Sequence, residues 1–376
     1  LTLKKLVGKI HLWLGLSSGL VVFILGITGC ILAFETEIRG ITEPYRQVAV
    51  EDKLLLPPSA LKQIAEKHLN SKKALGIDYP GLGKAATAMY YDAEHYEILF
   101  INPYTGAVLG HKDMNKDFFR IVLNGHFYMW LPPKIGQPIA ASATLIFVLM
   151  MITGLILWWP KNKAASKQRF SIKWSAGWRR KNYDLHNVLG FYMTWVAIFI
   201  ALTGLVFGFE WFSKSVYWVA SGGEAMEQHA HPVSDTTKQA TFVNIADHLW
   251  NQHRHAVGAN ESLGVYFAAE AADPVEVVIN HRPGTYYNSD FYHYDQYTGA
   301  RLKAKGSWDG AFAKAKFADK LMRLNYDMHV GAVLGIAGKL LAFFASLIAA
   351  SLPVTGFLIW WGRKKKQRFQ NDNAAI

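Results

Sequence analysis

Residues 11–35 read HLWLGLSSGLVVFILGITGCILAFE, and residues 186–210 read HNVLGFYMTWVAIFIALTGLVFGFE. Each stretch opens on a histidine (His11, His186) and places a glycine one helical turn later (Gly15, Gly190). Each then reaches a Thr-Gly pair (Thr28-Gly29, Thr203-Gly204) and closes on Phe-Glu (Phe34-Glu35, Phe209-Glu210), all at one constant offset. The runs Ile10–Phe34 and Val188–Phe209 are apolar enough and long enough to cross about 30 Å of hydrocarbon as helices. Ile135–Trp159 and Ile336–Trp361 are two more such runs.

The repetition continues downstream at a growing offset. Pro103-Tyr-Thr-Gly-Ala107 returns as Gln296-Tyr-Thr-Gly-Ala300. His126, Thr153-Gly154 and Trp158-Trp159 return as His329, Thr355-Gly356 and Trp360-Trp361. The chain therefore reads as two copies of one span–domain–span unit, the second with insertions in its soluble part. The expected layout is a first span in 1–34, an outer domain in 35–134, a second span in 135–160 and a cytoplasmic loop in 161–185. A third span follows in 186–210, a second outer domain in 211–328, a fourth span in 329–362 and a cytoplasmic tail in 363–376. In the fourth span Lys339 is expected to snorkel to the headgroups and Pro353 to kink the helix.

The net charge of +12 would suggest a nucleic-acid partner if it were spread over one surface. It is instead concentrated in three segments: Lys4, Lys5 and Lys9; Lys161, Lys163, Lys167, Arg169, Lys173, Arg179, Arg180 and Lys181; and Arg363, Lys364, Lys365, Lys366 and Arg368. The positive-inside rule makes these cytoplasmic, with both termini inside and the long segments 35–134 and 210–335 outside. Lipid, not nucleic acid, explains the basicity. The single cysteine, Cys30, excludes a disulfide framework, a four-cysteine iron–sulfur cluster and a CxxCH haem attachment. Ile27-Thr28-Gly29-Cys30 resembles a lipoprotein cleavage box, but the apolar run before it exceeds a signal-peptide core, and Thr-Gly recurs in the third span without cysteine.

Both soluble segments have a small α+β plan. Ser59–Leu69 is expected as a helix before strands Ala85–Tyr91 and Tyr96–Ile101. In the second copy, Phe242–His255 is the helix and Leu263–Ala268, Val275–Ile279 and Phe291–Tyr294 are the strands.

Four of the fourteen histidines occupy matched places at span ends: His11 and His186 on the inner side, His126 and His329 on the outer. Any one alone reads as an interfacial residue with its polar edge in the headgroups. As a set they suit a metal chemistry. A neutral imidazole offers one nitrogen to a metal while the other donates to a neighbour, and haem iron accepts two axial imidazoles from facing helices. Gly15 and Gly190 read equally as room for a flat macrocycle and as close helix packing. A continuous helix from His329 to Trp361 would measure about 48 Å, and Pro132-Pro133 separates His126 from its span. The outer pair is therefore expected near or above the outer interface. His229, His231, His248, His253 and His255 cluster in the second outer segment, as solvated surface groups or as contacts to a metal or metal chelate. Glu35 and Glu210 are expected at the outer rim. No nucleophile elbow, phosphate loop, dinucleotide fingerprint or HExxH motif is present.

These residues resemble the PepSY-associated transmembrane helix family: the His…Gly span openings, the Thr-Gly and Phe-Glu marks, and Thr-Gly followed by Trp-Trp. The Tyr-Thr-Gly-Ala turns resemble the end of a PepSY domain, and the likeness runs from His11 to Trp361. It implies an α-helical integral membrane protein of the bacterial inner membrane, with four spans from a duplicated span–PepSY-like–span unit. The family includes iron-regulated proteins and di-haem b siderophore reductases. By position, this implies two haem b groups, one axially held by His11 and His186 on the cytoplasmic side, the other by His126 and His329 on the periplasmic side. It implies a ferric siderophore as substrate and, with no flavin or nicotinamide domain here, a separate cytoplasmic flavin or NAD(P)H reductase or a quinol as donor. The competing expectations are a b-type cytochrome oxidising quinol for another periplasmic acceptor, and a non-redox PepSY membrane anchor with a regulatory role.

Overall fold

A computed structural model describes residues 2–160, 162, 166 and 169–373, with side chains through residue 365. Of the basic residues that set the expected topology, Lys161, Lys163 and Lys167 lie outside the described residues, as do the side chains of Lys366 and Arg368. The chain divides into two units.

The first unit comprises Leu1–Phe34, Ile121–Ser213 and Met328–Ile376. Among the described residues it contains four helices long and apolar enough to cross a membrane: Leu3–Ala33, Pro133–Trp158, Trp178–Gly208 and Ala332–Lys365. The last belongs to a helix continuing through Pro353 to Asn373. The first and third spans each pack against both the second and the fourth, so the four form a ring. Small residues let the backbones approach, since lipid tails give no hydrophobic drive between helices. Ala197 and Ala201 of the third span thus meet Val148 and Met151 of the second and Ala345 and Ala349 of the fourth. Outward positions such as Leu20, Ile152, Phe199 and Phe344 stand exposed, as lipid-facing side chains do.

The spans begin earlier than their apolar runs suggest, because polar first turns such as Trp178-Arg-Arg-Lys181 are also helical. Lys339 is buried, against the expectation that it snorkels. The start of its helix is tucked under the preceding turn, where Gly331 and Gly338 are in backbone contact.

The second unit comprises Glu35–Arg120 and Lys214–Asp327. Its frame is one eight-stranded antiparallel sheet of order β4-β3-β2-β1-β5-β6-β7-β8. The strands are β1 (Gly76–Tyr79), β2 (Ala86–Tyr91), β3 (Tyr96–Ile101), β4 (Val108–Asp113), β5 (Ser262–Tyr266), β6 (Val275–Asn280), β7 (Ser289–Tyr294) and β8 (Arg301–Leu302). The two soluble segments are thus not separate sheets. β1 joins β5 from Gly76 opposite Tyr266 to Tyr79 opposite Leu263, which removes two edges that would otherwise be open to aggregation. Helices Pro58–His68 and Ile245–Arg254 cover one face, burying Leu61, Ala65, Leu249 and Trp250 on Ile77, Leu99, Val265 and Val277. The second helix starts later than its apolar pattern because Asn244 caps it, accepting from the Asp247 amide. Asp247 also accepts from the Ser59 amide at 2.9 Å and hydroxyl at 2.5 Å, tying the two helix starts together.

Glu35, expected at an outer rim, opens the short helix Glu35–Thr42 and pairs with Arg39 at 2.7 Å. Arg39 also binds Glu43 at 2.9 Å and both oxygens of Asp117, which Lys112 engages as well. Arg39 and Asp117 are almost fully buried, so removing Asp117 takes the two-oxygen partner from a buried guanidinium and leaves it Glu35 and Glu43 alone. Asp117→Ala is expected to destabilise this unit by about 3–5 kcal/mol, against under about 0.5 kcal/mol for Lys116→Ala at the exposed Asp113 pair. Burial alone would push the Asp117 carboxyl up, but hydrogen bonds from Arg39 and Lys112 outweigh it and hold it at about 2. A depressed carboxyl stabilises the fold above the ordinary aspartate value of about 3.9 and loses that contribution as pH falls towards its folded value. The gap in thermal midpoint between wild type and Asp117→Ala is therefore expected to narrow on acidification through that window.

Candidate functional site: four tethered histidines in the bundle

All four matched histidines belong to the helical unit, and each meets a Thr-Gly pair of a different helix. His11 Nδ1 lies 2.9 Å from Thr153 Oγ1, and His186 Nδ1 lies 2.9 Å from Thr355 Oγ1. His126 Nδ1 lies 2.9 Å from Thr28 Oγ1, and His329 Nδ1 lies 3.1 Å from Thr203 Oγ1. One arrangement thus occurs four times.

The proton in these contacts can be placed. Each threonine hydroxyl is already directed at the carbonyl one turn back in its own helix: Ile24, Leu149, Phe199 and Ser351, at 2.6–3.0 Å. Its lone pairs remain to accept. His329 Nδ1 also lies 2.9 Å from the Ile200 carbonyl. A carbonyl only accepts, so Nδ1 carries the hydrogen and donates. The neutral ring then presents its lone pair at Nε2.

The glycine after each threonine lies against the histidine ring, tightly at Gly204 and Gly356 and at ordinary contact distance at Gly29 and Gly154. An added Cβ would stand 3.5 Å from His11 Cε1 at Gly154 and 3.5 Å from His126 Cε1 at Gly29. At Gly204 it would stand 3.3 Å from His329 Cε1, and at Gly356 3.2 Å from His186 Cε1. The Thr-Gly pairs, which mark the repeat in the sequence, are thus the seats of the histidines. The signal was available: every span carries one such pair.

His126 and His329 come together with ring centroids 6.1 Å apart, and the threonines they meet lie five residues before the ends of the first and third spans. Two short helices deliver the histidines, Phe118–Tyr128 and Phe317–His329. Neither continues into its span. Met129 and Trp130 adopt left-handed backbone (φ 53° and 56°) before Pro133 opens the second span, and Gly331 (φ 77°) turns the chain before the fourth. The continuous helix expected from His329 to Trp361 is therefore broken. Trp130 locks its turn by donating Nε1–H to the Ile121 carbonyl at 2.8 Å. In both cases a glycine in the span's first turns receives the returning backbone. A Cβ at Gly136 would fall 1.9 Å from the Tyr128 oxygen, and one at Gly338 would fall 2.1 Å from the Gly331 oxygen.

His11 and His186 sit on the first and third spans, which the ring of helices sets on opposite sides of the bundle, and His186 lies within electrostatic reach of His11. Seventeen residues separate His11 from Thr28 and His186 from Thr203. The two pairs thus lie about 25 Å apart along the spans. Gly15 and Gly190 face neighbouring helices, against the Met150 side chain and Leu352 respectively. Cys30 is buried, its thiol directed at the Phe343 carbonyl.

The donor set fits an iron porphyrin. All four rings are partly buried. Two imidazoles binding one metal by bonds of about 2 Å have centroids roughly 6 Å apart, close to the separation of His126 and His329. An Nδ1–H donated to an oxygen is the usual support of a metal-bound histidine.

The remaining candidates divide. His253 donates to or accepts from the Tyr294 hydroxyl at 2.7 Å and stacks on Tyr292, and His248 stacks on Phe242. His229 and His231 gather with His293, which the sequence pattern did not single out. Glu210 opens the helix Glu210–Ser221.

A ring of four membrane-crossing helices around paired, tethered histidines defines a polytopic membrane protein with polar chemistry inside its bundle. The chain belongs to the family described as the PepSY-associated TM region, whose sequence model matches residues 9–363. No curated protein matches the chain.

Gly136→Ala and Gly338→Ala force a Cβ into a backbone oxygen that cannot rotate away. Each is expected to destabilise the detergent-solubilised bundle by at least about 1–3 kcal/mol. Gly154→Ala meets only His11, at ordinary contact distance, and is expected to leave the thermal midpoint near that of wild type.

Proposed function

We propose that the chain is a transmembrane haem b oxidoreductase, carrying electrons from the cytoplasmic or membrane side to a ferric siderophore in the periplasm and reducing Fe(III) to Fe(II) for release. On this reading it is an inner-membrane protein with cytoplasmic termini, built from a duplicated span–PepSY-like–span unit. His11 and His186 hold one haem, and His126 and His329 hold the other, each through Nε2. The observation that carries the reading is the fourfold Nδ1–H···O tether, which leaves four neutral Nε2 lone pairs in two pairs across the bundle.

Bound haem supplies reversible one-electron chemistry. The chain's own residues supply the rest. Thr153, Thr355, Thr28 and Thr203 fix the ring orientation and, by accepting from Nδ1, make Nε2 more basic. The glycines beside them allow close approach of each ring, and the surrounding spans keep bulk water from the paired imidazoles. The two pairs lie at different depths, which suits transfer along the membrane normal. Hard oxygen donors hold Fe(III) far better than Fe(II), so one electron loosens the substrate without hydrolysis of the chelator. The donor on this reading is a separate flavin or NAD(P)H reductase, or a quinol.

The purified protein, expressed with ample haem, is expected to show a Soret band and reduced b-type α-bands at two haems per chain. His11→Ala and His186→Ala should each remove one haem, and unchanged content in both would reject the inner site. A colourless protein would favour a non-redox membrane anchor. Dithionite-reduced protein is expected to be reoxidised by a ferric siderophore; failure across several chelators would favour a quinol-oxidising cytochrome with another acceptor.

A further inference from the structure

His293 in β7 is fully buried, yet neither ring nitrogen has a hydrogen-bond partner. Its nearest carboxylates, Glu276 at Nε2 and Asp309 at Nδ1, each stand 3.6 Å away, outside hydrogen-bond range, and the Arg301 guanidinium donates to the His293 carbonyl at 2.9 Å. An orphaned buried polar group is destabilising, so two such atoms on one ring call for a bound species. Asp309 is already engaged by Arg301 at 2.9 Å, which leaves Glu276 as the free carboxylate.

The surroundings are consistent with a cation. Glu276 and His293 are directly opposite in the β6–β7 register, on the sheet face turned away from the two covering helices. Over this face runs the segment His229-Ala230-His231, pinned by a bridge from Ala230 to Lys305. Side chains alternate along extended backbone, so His229 and His231 project to one side. Their ring centroids lie 4.7 Å apart, and His231 lies 5.4 Å from His293. Two imidazoles on one tetrahedral metal, with bonds of about 2.0–2.1 Å, have centroids roughly 5 Å apart and donor atoms roughly 3.3 Å apart. Among the described residues no three such donors already converge at coordinating distance. His229 and His231, however, are exposed and free to rotate by the small amount required.

The geometry points to a binding site in the soluble unit for one divalent first-row transition-metal ion, with His229, His231 and His293 as imidazole ligands and Glu276 as the carboxylate. Three imidazoles and one carboxylate select Zn(II), Ni(II), Co(II) or Fe(II) over magnesium and calcium, which take oxygen donors. The site is independent of the haem reading: it lies in the sheet unit and uses none of the four bundle histidines.

The test uses the untagged full-length protein in detergent, titrated with Zn(II) by calorimetry, with the bound metal counted after desalting. One Zn(II) per chain is expected, undisturbed by excess Mg(II), with a rise in the thermal midpoint on binding. Because His293 is buried, its substitution could disturb the fold; His229→Gln with His231→Gln alters exposed positions only. That double variant is expected to keep the metal-free midpoint and to lose at least tenfold in Zn(II) affinity. Wild-type protein that takes up no Zn(II), or a double variant that binds it as tightly as wild type, would overturn the proposal.

Discussion

The helical unit depends on one interaction made four times: an imidazole N–H donated to a threonine hydroxyl on another helix. Polar groups inside a membrane protein must find partners within the protein, since hydrocarbon offers none. Each tether satisfies a ring nitrogen and joins two segments at once. His11 joins the first span to the second, and His186 the third to the fourth. His126 and His329 bring the short helices before the second and fourth spans back to the first and third. The same contacts therefore assemble the bundle and orient its candidate ligands.

The sheet unit solves a different problem. Each soluble segment alone would expose β1 or β5 as an open edge. Pairing the two closes both edges and spreads one apolar core across the junction, where Tyr79 packs near Trp250. The buried Arg39–Asp117 pair and the Ser59–Asp247 contact add polar links between segments distant in sequence. These links are specific because the alternative is an unpaired charge or amide under cover.

The spans were legible because an apolar run long enough to cross hydrocarbon rarely forms anything but a membrane helix, and the four histidines because they recur at matched places. The seats of those histidines were not legible. Thr28, Thr153, Thr203 and Thr355 are visible as repeat marks, but which histidine meets which threonine depends on the order of helices around the ring. The continuous helix expected from His329 to Trp361 is broken at Gly331, and Met129-Trp130 turn the chain before the second span; neither Met nor Trp announces such a turn. Gly76–Tyr79 was missed as a strand because four residues carry too little alternation. Its partner β5 lies far along the chain, beyond the reach of local pattern. His293 went unnoticed because it lies within an expected strand, away in sequence from the His229–His255 cluster that it joins only through the fold.

The central claim of the proposal is that His11 with His186, and His126 with His329, each serve one iron through Nε2 while Nδ1 donates to a threonine. Low-temperature electron paramagnetic resonance of the oxidised, haem-loaded protein tests this most directly, because spin state and anisotropy report the axial ligands of each iron. The account predicts two low-spin ferric signals of the kind given by two neutral imidazoles. A high-spin ferric signal as the main species, or a single low-spin centre at full haem loading, would contradict it.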